Sequence, residues 1–144
     1  MAETIASMMN DFAQDAVGFA QDQYQTNLDY SDQSIRDVEK ILDILHHELP
    51  RTVSGDMTEE ASMQDTVDAI CNMFGGYIGE VIRREYGGEW KIETMASDHP
   101  MVCLQVKGNY IFPSAKVYKR LANGSGDDLW FYYEVIKQKF ENMI

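Results

Sequence analysis

The feature that most restricts how this chain can fold is an apolar stripe at helical spacing that runs through three glycines. Met63, Val67, Ile70, Phe74, Tyr77, Ile78 and Val81 recur at steps of three and four, and Gly75, Gly76 and Gly79 fall in the second half of that run. Glycine inside a helix costs about 0.5–1 kcal/mol relative to alanine. Three so close together require either a bend or another backbone lying tightly against the helix. Gly87-Gly88 predicts its end, because glycine takes the left-handed C-terminal cap without strain. Asp56 and Glu59, ahead of it, have the spacing of a capping box.

Two helices are predicted before this one. In the first, Ile5, Met8, Met9, Phe12, Ala16, Phe19 and Ala20 share a face, and Gly18 weakens its continuity. In the second, Ile35, Val38, Leu42, Leu45 and Leu49 repeat in a regular rhythm that stops at Pro50. Ser31 is placed to cap it, with Tyr30 and Ile35 spaced as a hydrophobic staple. Behind the long helix, the runs 90–95, 101–106 and 110–112 read as short strands joined by tight connections, the last through Lys107-Gly108-Asn109. Pro113 then suits the first position of a helix carrying Val117 and Leu121. Gly124 and Gly126 break that helix, and Asp127 or Asp128 caps a final one with Leu129, Tyr132, Tyr133, Ile136 and Phe140 inward. Trp130, Phe131, Tyr132 and Tyr133 are too many consecutive rings for one helix to bury, so some must stay exposed or meet another chain. The expected fold is a single α+β domain over residues 1–144: three N-terminal helices, a small antiparallel three-stranded sheet, and two C-terminal helices.

Charge divides the chain. Residues 1–74 hold 15 acids against 3 bases, a balance of −12, whereas residues 75–144 hold 9 of each. Such a field repels nucleic acid and anionic membranes and speeds encounter with basic proteins. The N-terminus lacks the pattern of a secretory signal, and no apolar run reaches the roughly 20 residues that cross a bilayer. With only Cys71 and Cys103, each in apolar surroundings, a reducing, cytoplasmic location is expected and both thiols read as core.

No residue pattern points to a catalytic, cofactor or metal site. His46 and His47 are adjacent, not four apart as a zinc helix requires. Gly75-Gly76-Tyr77-Ile78-Gly79 lies inside a helical pattern, not between a strand and a helix, and no Gly-Lys-Ser/Thr follows. Glu80, Arg83 and Arg84 have ion-pair spacing and read as a solvated helix face. Lys116, Lys119 and Arg120 gather on one short helix, near Tyr110 and Tyr118, as an anion contact would.

Leu28-Asp29-Tyr30-Ser31 with Ser34-Ile35 and Val38-Glu39, then Gly76 to Val81 with Trp90, then Phe112-Pro113 with Val117 to Arg120, occur in this order. Over residues 28–121 the chain resembles a group of small bacterial proteins known as a domain of unknown function, which includes candidate immunity proteins encoded beside secreted toxins. The resemblance implies a related fold and carries over no catalytic residue.

The functional expectation is a protein-binding module, in its most concrete form a cytoplasmic immunity protein that inhibits a basic toxin domain by occluding it. Its candidate contacts are Asp11, Asp15, Asp22, Asp32, Asp37, Asp43, Glu60 and Trp130. The alternatives are a small enzyme or ligand-binding domain with a site near Glu80, Arg83 and Trp90, or a homo-oligomeric structural protein. In the core, Leu42, Leu45, Ile70, Phe74 and Ile78 are expected to pack against Ile92 and Leu104. Leu45→Ala is expected to cost about 2–5 kcal/mol in denaturant unfolding; a loss below about 0.5 kcal/mol would mean that this helix face is assigned wrongly.

Overall fold

Every residue from Phe74 to Ile82 is buried. A helix buried all round is surrounded by its neighbours and not laid on a surface. That helix organises the computed structural model, which describes residues 4–49, 57–94 and 100–142, with side chains in the third helix described from Met63. The elements are α1 (Ile5–Tyr24), α2 (Asp32–Glu48), α3 (Met57–Tyr86), β1 (Glu89–Glu93), β2 (Met101–Val106), β3 (Asn109–Ile111), α4 (Pro113–Asn123) and α5 (Leu129–Glu141). A short 3-10 turn, Gly124–Asp127, links the last two helices. This is the α+β order expected from the sequence. Pro50, the Asp56–Glu59 capping box and Met95 lie outside the described residues or side chains.

The three glycines of α3 serve close approach. A Cβ on Gly75 would stand 2.2 Å from Ser114 Oγ and 2.7 Å from its Cα, so α4 begins directly against α3. One on Gly76 would stand 2.8 Å from the backbone oxygen of Met9. Here α1 lies along α3, and its Ala13, Ala16 and Ala20 are fully buried. One on Gly79 would stand 2.0 Å from Trp90 Cη2, so the indole of β1 occupies the place of the missing methyl group.

A polar relay joins α2 to α3. Tyr30 adopts a left-handed backbone (φ 64°), and its N–H donates to Tyr77 Oη at 2.8 Å. Tyr77 donates to Ser34 Oγ at 2.7 Å, and Ser34 donates to the Ser31 carbonyl at 2.6 Å. Ser31 also caps α2 through the Ser34 N–H, as its position predicts. Burial pushes the Tyr77 phenol up to about 12, so it remains a donor throughout the ordinary pH range.

The sheet order is β1-β2-β3, both pairs antiparallel, with Trp90 opposite Leu104 and Leu104 opposite Ile111. Lys107 and Gly108 both have positive φ, the mirror-image turn that matches the twist of a two-residue hairpin. Trp90, Leu104, Val106 and Ile111 are buried against the helices. Ile92 corrects the expectation: it is 51% exposed, because it pairs with Val102 near the end of β1, away from the buried Trp90–Leu104 pair. Cys103 is buried but outside the main core. It points to the face opposite Leu104, near Lys91 and Glu93, while Cys71 lies in the core.

Asp128 caps α5 by accepting the Phe131 N–H, and of the four consecutive rings Tyr133 is buried while Phe131 is 70% exposed. In α1, Gly18 has open space where its side chain would be, and the helix passes through it unbroken. The two kinds of glycine make opposed predictions. Gly79→Ala should destabilise by about 1–3 kcal/mol through overpacking against Trp90. Gly18→Ala should stabilise by about 0.5–1 kcal/mol. Equal shifts of the two unfolding midpoints would contradict this packing.

Candidate functional site

The carboxylates of α2 divide into those the fold consumes and those it leaves outside. Arg120 of α4, only 1% exposed, grips Glu39 with two bonds of 2.7 Å and Asp43 with a third of 2.7 Å. Glu39 also accepts the Leu129 N–H at 2.9 Å, which fixes the start of α5. The hydrogen bonds that Arg120 donates to Glu39, then to Asp43, hold the guanidinium well above its ordinary range, and Arg120 holds Asp43 below its own. Nη1 of Arg120 has no acceptor among the described residues. The residue expected in an anion-binding patch is therefore an internal tie, because Glu39 and Asp43 sit one helical turn apart and face α4 together.

Asp32 forms a second tie. It accepts from Tyr133 Oη and from Lys137 Nζ at 2.7 Å, joining the first turn of α2 to α5. The Lys137 and Tyr133 hydrogen bonds hold its carboxyl below the usual aspartate range. Trp130 lies beneath the Arg36 guanidinium, 4.1 Å from the ring centroid, and is half-buried. Asp32, Asp43 and Trp130 thus have work inside the fold.

Glu80 is a further correction: it is 2% exposed and not part of a solvated face. Its carboxylate accepts from Arg83 at 2.7 and 3.0 Å and from Trp90 Nε1 at 2.8 Å. Burial pushes its pKa up, but the hydrogen bonds from Arg83 and Trp90 and the charges of Arg83 and Arg84 outweigh that and leave it lowered. A cleft of about 400 Å³ beside it is lined also by Ala6, Asn10 and Glu89. Both carboxylate oxygens are already engaged with the protein. His46 is engaged too, its Nδ1 lying 2.5 Å from the Leu121 carbonyl. Among the described residues no group of three His, Cys, Asp or Glu side chains is placed to hold a metal ion. Nor is any described helix long and apolar enough to cross a membrane.

Asp11, Asp15 and Asp22 remain. All three are exposed, and their carboxylates make no hydrogen bond or ion pair with any described residue. Spacings of four, three and four residues set Asp11, Asp15, Gly18 and Asp22 along one outward stripe of α1. Asp37 is half-exposed on α2, separate from that stripe, and Glu60 lies outside the described side chains. Sequence reasoning missed Glu39, whose partner Arg120 is 81 positions away. The only local signal was the i, i+4 pairing of Glu39 with Asp43 on one helix. Comparison with protein-family models, curated proteins and solved structures finds no match.

Arg120→Ala should cost about 1.5–3 kcal/mol, since it removes the forked partner of the partly buried Glu39 carboxylate, and Arg120→Lys should recover only part of that because a point charge cannot make the forked contact. Recovery to wild-type stability by lysine would refute the forked tie. The pH dependence follows from Glu80. Its folded value is lowered, so its contribution is full above the ordinary value of 4.5 and lost as pH falls through the folded value. Glu80→Gln should therefore flatten the decline of stability below that pH, measured by denaturant unfolding.

Proposed function

We propose that this chain is a protein-binding module whose docking face for a basic partner is the outer stripe of α1. The observation that carries the reading is that Asp11, Asp15 and Asp22 are exposed and unused by the fold, with a bare glycine between them. α1 buries its other side against α3 and β1. Exposed glycine in a helix costs about 0.5–1 kcal/mol with no packing return here. A gap in the side-chain layer lets a lysine or arginine stem lie flat on the helix between aspartates. In this mechanism the module covers a functional surface of a basic protein, which is how a cytoplasmic immunity protein would act on a basic toxin domain.

The rival reading, an enzyme or ligand site at Glu80, Arg83 and Trp90, is favoured less because both carboxylate oxygens are already engaged by its own neighbours. Homo-oligomers held through the acidic stripe are disfavoured by like-charge repulsion between copies.

The test is association kinetics against the partner recovered by pulldown. Asp11→Asn/Asp15→Asn/Asp22→Asn should slow association more than it speeds dissociation, and added salt should do the same. Gly18→Leu should speed dissociation while the fold remains intact. An association rate indifferent to salt and to the triple substitution would remove α1 as the docking face.

A further inference from the structure

A second surface, built from β3, α4 and α5, has the opposite character. It is a groove of about 400 Å³ whose lining, among the described residues, contains three lysines, Lys116, Lys119 and Lys139, and no carboxylate. This is notable in a chain of net charge −12, and each of the other described clefts includes at least one acid. Lys116 is the anchored member: its Nζ lies 3.4 Å from Asp127 and 5.3 Å from the Tyr132 ring centroid. Lys119 and Lys139 are exposed and form no ion pair with any described residue.

The floor between the lysines is apolar. Ile136 is buried within it, while Val135 is 49% exposed and Tyr110 is also exposed at its border. An isoleucine- and valine-lined floor under lysines selects for an apolar side chain flanked by negative charge. One wall is a sheet edge, since among the described residues β3 pairs only with β2. The two-residue turn makes Val106 and Asn109 a hydrogen-bonded pair, and in an antiparallel ladder such pairs alternate. Tyr110, the next residue, therefore turns its N–H and C=O away from β2, to the outer edge of the sheet. An extended segment laid there meets a backbone donor and acceptor, as in strand addition.

The geometry points to a binding site for an acidic, extended segment of another protein, with an apolar side chain seated over Val135 and Ile136 and its carboxylates on Lys119 and Lys139. A small molecule fits less well, because a groove this open cannot enclose most of a ligand's surface. The distant acids of the first half do not forbid such a partner, since charges beyond about 8 Å are largely screened at physiological salt.

The experiment is selection of a random twelve-residue peptide display library on the immobilised full chain, followed by fluorescence anisotropy of the selected peptides. Enriched sequences should carry Asp or Glu on both sides of an apolar residue. Affinity should fall at least tenfold in Lys119→Glu/Lys139→Glu and in Val135→Asp, with unfolding midpoints near wild type. It should persist in the Asp11→Asn/Asp15→Asn/Asp22→Asn chain, which separates this site from the α1 face. Failure to enrich acidic peptides would overturn the proposal, as would undiminished binding to the folded lysine variant. Enrichment of basic peptides sensitive only to the α1 substitutions would do the same while leaving the α1 reading standing.

Discussion

A helix enclosed on all sides must find room for its neighbours' backbones, and in α3 that room is made by removing side chains. Gly75, Gly76 and Gly79 admit α4, α1 and Trp90 respectively. The last contact has the widest effect. Because the indole sits over Gly79, its N–H reaches Glu80 one residue further along, and the carboxylate can then be buried with Arg83 as its second partner. One missing methyl group thus sets both the docking of β1 and the satisfaction of a buried charge. Buried charge without such partners would be untenable in an enclosed segment.

Outside this apolar centre, the chain is closed by charge. Arg120 binds α4 to α2, Glu39 binds α2 to the first turn of α5, and Asp32 binds α2 to the body of α5. Ion pairs of this kind contribute modestly to net stability, since desolvation offsets much of the attraction. What they fix is register. A bidentate guanidinium accepts one placement of its carboxylate, so α4 and α5 are set against α2 to within a fraction of a helical turn. The same use of acids explains why the negative charge of the first half is not all available to a partner.

The sequence was legible wherever an answer depended on period. The helices, the Ser31 cap, the Pro113 start and the strand pairing follow from local spacing, whereas which of the candidate acids share one free face is decided only by how α1 and α2 pack. Depth was not legible. Alternation places Ile92 on the inner face of β1 but cannot say that the helices fail to reach it. Glu80 and Arg83 at i, i+3 look identical on a surface and in an interior, and only the arrival of Trp90 decides between them. Arg120 stood with Lys116 and Lys119 in one basic turn, yet the helix directs it inward to partners on α2, half-buries Lys116 beside Asp127 and leaves Lys119 outside. The third lysine of that groove, Lys139, comes from α5 and joins the others only through folding.

The order of elements along the chain also matters during synthesis. The alanine seam of α1 is made first, but the face of α3 that receives it, with Gly76 at the closest approach, comes later, with all of α2 between them. On the ribosome, α1 and its apolar face must therefore wait until the chain has passed Tyr86 and cleared the exit tunnel. Until then that face, with Met8, Met9, Phe12 and Phe19 beside the alanines, is what a nascent-chain chaperone would encounter. The exposed carboxylates of Asp11, Asp15 and Asp22 on the reverse of the same helix would keep the waiting segment hydrated.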